Sequence, residues 1–194
     1  MSAASLTTPR KPSARDRLLA AADELFYAEG IHTVGIDRVI ERAGVAKASL
    51  YSTFGSKDEL VRAYLEGRHE LRRTRLLKGL ERYEDPRDRV LGVFEVLDEL
   101  AGTPGFRGCA FYNASAEGTP GGPVQEVSDA TRAWTRGLFV ELARDAGAKD
   151  PHALADQLTV LYDGASVGAK MDRPSMAPQV ARDMAEILLN AATA

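Results

Sequence analysis

Ser166 lies in Gly164-Ala165-Ser166-Val167-Gly168, the G-x-S-x-G spacing at which a hydrolase holds a serine nucleophile on a sharp strand-to-helix turn. Two features argue against that chemistry. Leu154, Leu158 and Leu161, which precede it, recur at helical spacing, so no strand is expected to lead into the turn. His32, His69 and His152 are the only histidines and all precede Ser166, so the usual chain order of serine, acid and histidine cannot form. A Ser166 hydrolase is therefore the weaker alternative, and no enzyme activity is expected. Three scattered histidines and one cysteine give no ligand spacing, so neither a metal nor a cofactor is expected. Asp37 and Glu41 share one helical face, but acids in the first turns of a helix follow from the macrodipole alone. Asn113-Ala114-Ser115 is a glycosylation sequon; it carries no weight here, because residues 1–13 lack the apolar stretch of a secretory signal. Cys109, after Arg107 and Gly108, stands where a short helix would open. A neighbouring cation and a helix N-terminus are surroundings that lower a thiol pKa, so it is a candidate reactive thiol.

The stronger pattern runs from Gly30 to Leu60. Ile36, Val39, Ile40 and Ala43 mark a short helix that must stop at Gly44, and another begins immediately, at Ala46. Two short helices meeting at a tight glycine turn make a helix-turn-helix, whose second helix reads the major groove. Ile36, Val39, Val45 and Leu50 supply the inner faces, and Ala46, Lys47, Ala48, Ser49 and Ser52 point outward. Such a small, polar face suits close approach to DNA, because bulky side chains would hold the helix out of the groove. Lys47 and Lys57 are expected to neutralise phosphates, Tyr51 and Ser52 to donate hydroxyl hydrogen bonds to phosphate oxygens, and Ala48 to offer a methyl contact to thymine. Lys57 also sits in the first turn of its helix, where free backbone N–H groups favour an anion.

The elements that must position these residues all have helical periodicity. Leu18, Ala22, Leu25 and Phe26 share a face of a first helix over about residues 14–28, opened by Ser13 and ended near Gly30. Ser56-Lys57-Asp58-Glu59 reads as a capping box that opens a fourth helix, carried to about Tyr83 before Asp85-Pro86 breaks it. Val90, Phe94 and Leu97 mark a fifth helix, and residues 109–117 a short sixth. Gly118 to Pro123 reads as a surface loop. Val127, Trp134, Leu138 and Leu142 mark a seventh helix, Leu154, Leu158 and Leu161 an eighth, and Val180, Met184, Ile187 and Leu188 a ninth. The expected fold is all-α, divided into an arm over 1–12, a helix-turn-helix domain over 13–56 and a second helical domain over 57–194.

Composition agrees. Hydrophobic residues make up 44% and charged residues 27%, which excludes a disordered chain; no apolar run is long enough for a membrane span, and the single cysteine suits a reducing cytoplasm. The charge of −3 is uneven. Residues 1–82 hold 15 Lys and Arg against 11 Asp and Glu, and residues 83–194 hold 10 against 17, so the basic half is the place for a polyanion.

The order of a long helix, a glycine, a helix-turn-helix and then Val45, Lys47, Leu50, Tyr51, Phe54, Ser56, Lys57 and Leu60 resembles the DNA-binding region of TetR-family regulators over about residues 14–65. The rest of the chain agrees in length, helix count and all-helical character. The resemblance implies a homodimer on a palindromic double-stranded DNA operator, usually a repressor, released by a small-molecule effector bound in the C-terminal domain. Matched DNA-contact positions are Gly35, Lys47, Ala48, Ser49, Tyr51, Ser52 and Lys57. Gly35 stands where a Ser or Thr cap is usual, which removes a bond contributing about 1 kcal/mol. Ile40 stands where a small residue is commonest, and the two departures leave the contacts of Gly35 and Arg38 open. The resemblance also implies that the last two helices pair across the dimer and, as the alternative to a bound effector, that Gly108-Cys109 serves as a thiol sensor of electrophiles or oxidants within the same scaffold. The small residues Gly164, Ala165, Gly168 and Ala169 suit such pairing, and equally suit packing within one chain. Phe94, Cys109, Phe111, Tyr112, Asn113, Trp134 and Tyr162 are candidate effector contacts, with core packing the competing role of each aromatic.

Overall fold

The computed structural model describes residues 12–172 and 174–194. The arm expected over residues 1–12 lies outside them, apart from Pro12. Helix α1 (Ala14–Glu29) opens on Ser13, whose Oγ accepts from the Asp16 N–H at 3.1 Å while the Asp16 carboxylate takes the Ser13 N–H at 3.0 Å. This reciprocal capping box satisfies two donors at the helix start. Helix α2 (Ile36–Ala43) ends at Gly44, whose φ of 62° and ψ of 44° lie in the left-handed region that costs glycine nothing. Helix α3 (Lys47–Phe54) starts one residue later than expected, because Ala46 is extended and serves as its N-cap.

Helix α4 (Lys57–Leu80) is 24 residues long, about 36 Å at 1.5 Å per residue. Only half of its expected capping box forms. Ser56 Oγ accepts from the Glu59 N–H at 3.1 Å, but the Glu59 carboxylate turns to Arg62 at 3.2 Å. The helix stops at Leu80, three residues short of the expected end. Helices α5 (Pro86–Ala101), α7 (Pro123–Asp145) and α8 (Pro151–Met171) each open on a proline, which the first turn accepts because its N–H would have no helical partner. A short α6 (Ala110–Ser115) and a final α9 (Ala177–Thr193) complete nine helices among the described residues, which contain no strand.

Two hydrophobic cores form. The first gathers α1, α2 and α3 with Leu60, Val61, Tyr64 and Leu65 of α4, then adds Ala110, Phe111 and Ala114 of α6 and Val124 and Val127 of α7. The second joins Leu76 and Leu80 at the far end of α4 to α5, the rest of α7, α8 and α9. Helix α4 therefore belongs to both cores. Phe94, Phe139 and Tyr162 form an aromatic cluster in the second, with ring centroids 6.0–6.3 Å apart.

Helix α9 inverts the expected apolar stripe. Ala181, Ala185 and Leu189 are buried, while Val180, Met184 and Ile187 are exposed. The small inward residues let α8 and α9 approach closely: a Cβ on Gly168 would stand 2.6 Å from that of Ala177. Ala165 and Ala169 are likewise buried within the chain.

Candidate nucleic-acid interface and sensor cavity

Leu50 is fully buried and pins the middle of α3 to the first core, as Val39 does for α2. Arg17 of α1 closes the turn between them. Its Nη1 donates to the carbonyl oxygens of Gly44 at 2.9 Å and Ala43 at 3.3 Å, which are otherwise orphaned at the end of α2. Arg38 forks onto Glu29 at 2.7 and 2.9 Å, and Arg42 pairs with Glu24 at 2.7 Å. These bonds hold α2, and the turn that leads from it into α3, against α1.

Ala46, Lys47, Ala48, Tyr51 and Ser52 are exposed on α3, with Ser49 half-buried. Gly35, the N-cap of α2, is exposed and makes no side-chain cap bond. Two expected phosphate ligands have internal partners in the free chain. Lys47 Nζ lies 3.0 Å from Asp37 Oδ1, and that hydrogen bond raises the ammonium above its ordinary pKa. Ser52 Oγ donates to the Ser49 carbonyl at 3.1 Å, and Thr53 Oγ1 donates to the same oxygen at 2.6 Å. A hydroxyl has one proton, so Ser52 must leave that carbonyl to serve a phosphate. Among the described residues of α2, α3 and the first turn of α4, Lys57 is the one cation without an ion-pair partner.

Two cavities lie where α4, α6, α7 and α8 meet. The larger, about 700 Å³, is walled by α6, α7, α8 and the 118–120 loop, and the smaller, about 90 Å³, lies along α4. Arg72, Cys109, Phe111 and Ser166 line both. Of the candidate effector contacts, Cys109, Phe111, Tyr112 and Tyr162 line one or both. Phe94 is fully buried in the second core and lines neither. Trp134 packs against that core and meets His69 edge-on at 5.6 Å. Asn113 is committed elsewhere, donating to the Arg107 carbonyl at 2.9 Å and accepting from Lys170 Nζ at 2.7 Å.

Arg72 of α4 is a functional residue that the sequence patterns above do not single out. Its Nη2 donates to Cys109 Sγ at 3.1 Å, and its guanidinium lies 4.9 Å from the centre of the Phe111 ring. The cation bonded to Cys109 is thus Arg72, 37 residues away in sequence. An arginine at every turn of an otherwise amphipathic helix, Arg68, Arg72 and Arg75, was the available signal. Ser166 sits inside α8 and donates to the Tyr162 carbonyl at 2.9 Å. A nucleophile elbow needs a strand-to-helix turn, and this serine is in mid-helix. Among the described residues, no group of three His, Cys, Asp or Glu side chains is placed to hold a metal, and no helix is long and apolar enough to cross a membrane.

The cavity wall is joined to the helix-turn-helix domain. The Tyr27 hydroxyl at the end of α1 donates to the Gly108 carbonyl at 3.0 Å and accepts from the Arg107 N–H at 2.9 Å. Glu117, after α6, accepts from the His32 N–H at 2.7 Å. Val160, Met171, Met176, Val180, Met184 and Ile187 leave α8, α9 and the segment between them with exposed apolar side chains.

The family model for bacterial regulatory proteins of the tetR family matches residues 18–64. The HTH-type transcriptional activator FasR of Mycolicibacterium smegmatis is 30% identical over 165 residues, covering 82% of this chain and 74% of the relative. The HTH-type transcriptional repressor NemR of Escherichia coli is 27% identical over 175 residues, covering 82% and 85%. The crystal structure of SCO4454, a TetR-family transcriptional regulator from Streptomyces coelicolor, matches with a TM-score of 0.87 at 35% identity, over 93% of this chain and 96% of that one.

Proposed function

The chain belongs to the TetR family of helix-turn-helix DNA-binding transcriptional regulators, and from that premise we propose that it is a homodimeric repressor, released from a palindromic operator by a small molecule held in the cavities beside α6. The observation that carries this reading is the continuity from cavity to DNA-binding domain. Tyr112 and Ser115 of α6 line the larger cavity, and two residues later Glu117 holds the loop between α1 and α2. A ligand that moves α6 acts on α1 without crossing solvent, and tilting α1 changes the separation of two α3 helices that must match grooves about 34 Å apart. Gly35, Arg38, Lys47, Ala48, Ser49, Tyr51, Ser52 and Lys57 form the DNA face. The domain division follows the same logic, with 13–56 reading DNA and 57–194 binding effector and partner.

The exposed apolar faces of α8 and α9 support the dimer. Val180, Met184 and Ile187 fall at i, i+4 and i+7, the seam of a helix that packs on another. The test is selection of a binding site from a random DNA library, followed by a screen for compounds that release it. Expected are a palindromic site, affinity that falls steeply with salt, and at least one releasing compound that competes for the cavity. Selection of no site would remove the reading.

A second reading rests on the 3.1 Å bond from Arg72 to Cys109 Sγ, with the thiol lining both cavities. In it the cysteine is the sensor: the sulfur adds to an α,β-unsaturated carbonyl, a C–S bond forms, and the proton ends on the α-carbon. Release by such a compound from the wild type but not from Cys109→Ser distinguishes this reading from reversible binding.

A further inference from the structure

Arg68, Arg72 and Arg75 all line the smaller cavity, and no carboxylate stands among the described residues of its wall. Arg68 is committed to Asp23 at 2.5 Å and stacks 3.8 Å over the Tyr27 ring. Arg72 and Arg75 have no ion-pair partner among the described residues. Arg72 is half-buried, and among the described residues one of its five N–H groups has a protein acceptor, the weak sulfur of Cys109. Independently, Tyr162 is 4% exposed and lines the same cavity, and its hydroxyl makes no hydrogen bond among the described residues, which leaves a donor open to the cavity. The cavity thus holds a forked cation and a free donor with no anionic acceptor, the arrangement that two carboxylate oxygens complete. The larger cavity differs. Its two carboxylates are Asp163, paired with Arg132, and the exposed Asp129, and Phe111, Pro120, Val124 and Val167 supply apolar wall.

We propose that the effector is an amphipathic organic carboxylate, its head bound by Arg72 and the Tyr162 hydroxyl and its apolar body in the larger cavity. The inference rests on reading these cavities as the effector site. Calorimetry on the full chain with 2-naphthoate and its neutral isostere 2-naphthamide tests it. The wild type is expected to bind the acid at least about tenfold tighter than the amide, the size of one charge-assisted hydrogen bond. Arg72→Gln should abolish that preference, weakening the acid far more than the amide, and Tyr162→Phe should weaken the acid about threefold or more. Equal binding of acid and amide by the wild type, no binding of the acid at millimolar concentration, or a preference that persists in folded Arg72→Gln would each overturn the proposal. If Arg72→Gln does not fold, the wild-type comparison and Tyr162→Phe decide it. Operator release is read separately. Naphthoate that binds through Arg72 without freeing operator leaves the carboxylate site standing and removes the release mechanism. Release by the amide alone does the reverse.

Discussion

The backbone N–H of His32 donates to the Glu117 carboxylate at 2.7 Å, and the His32 imidazole meets the Glu117 carbonyl oxygen, so two residues 85 positions apart join the loop after α1 to the loop after α6. Gly30 lies under the same carboxylate. With φ at 95° and Glu117 Oε1 only 2.6 Å from where a Cβ would stand, any side chain there is both strained and obstructed. Gly30→Ala is expected to cost about 1–3 kcal/mol in denaturant unfolding. Glu117→Ala should leave operator affinity within about threefold while the effector concentration needed for release rises about fivefold or more, the scale of a coupling near 1 kcal/mol. Unchanged release by Glu117→Ala would remove this contact from the route between cavity and DNA.

Lys47 is held by Asp37 in the free chain, and both are exposed. A carboxylate beside the recognition helix repels phosphate and competes for the lysine. Asp37→Asn should therefore tighten operator binding about threefold or more, and Lys47→Ala should weaken it and lower the slope of log affinity against log salt by about 1. Filter binding across a salt series reads both. Weaker binding by Asp37→Asn would mean that the carboxylate positions Lys47 rather than masking it.

Ile187 is 68% exposed on α9, with Met184 and Val180 on the same face. Burying such a side chain is worth about 1.5–3 kcal/mol, and two copies meet in a symmetric interface. Ile187→Glu should shift sedimentation from dimer to monomer and leave helical content unchanged. An oligomeric state unaffected by both Ile187→Glu and Met184→Glu would place the interface elsewhere.

His69 carries a depressed pKa because burial disfavours its charged form, and its Nδ1 is buried without a hydrogen-bond partner among the described residues. The folded chain then holds this proton less readily than the unfolded chain. The contribution of His69 to stability is fully present above the ordinary histidine value of about 6.5 and declines as pH falls through the depressed one. Urea unfolding at pH 7.5 and 5.5 should show a loss that is smaller in His69→Gln, and the His69 ring should titrate below 6.5 by NMR.

How much could be read in advance follows the range of each interaction. The turn between α2 and α3, its glycine and the outward set from Ala46 to Ser52 depend on spacings of three and four residues, which helical geometry converts directly into faces. Those positions were legible in sequence; the Lys47–Asp37 pair was not, because it joins α2 to α3 across the turn that Arg17 closes. Arg72 beside Cys109 and Glu117 beside His32 join residues 37 and 85 positions apart, and no local period marks either. Helix α9 shows the same division. Its residues by themselves determined an amphipathic helix with an apolar stripe through Val180, Met184 and Ile187. Only the tertiary structure decided that Ala181, Ala185 and Leu189 face inward, where α9 packs close to α8, as at Gly168 and Ala177, and that the bulkier stripe is left exposed.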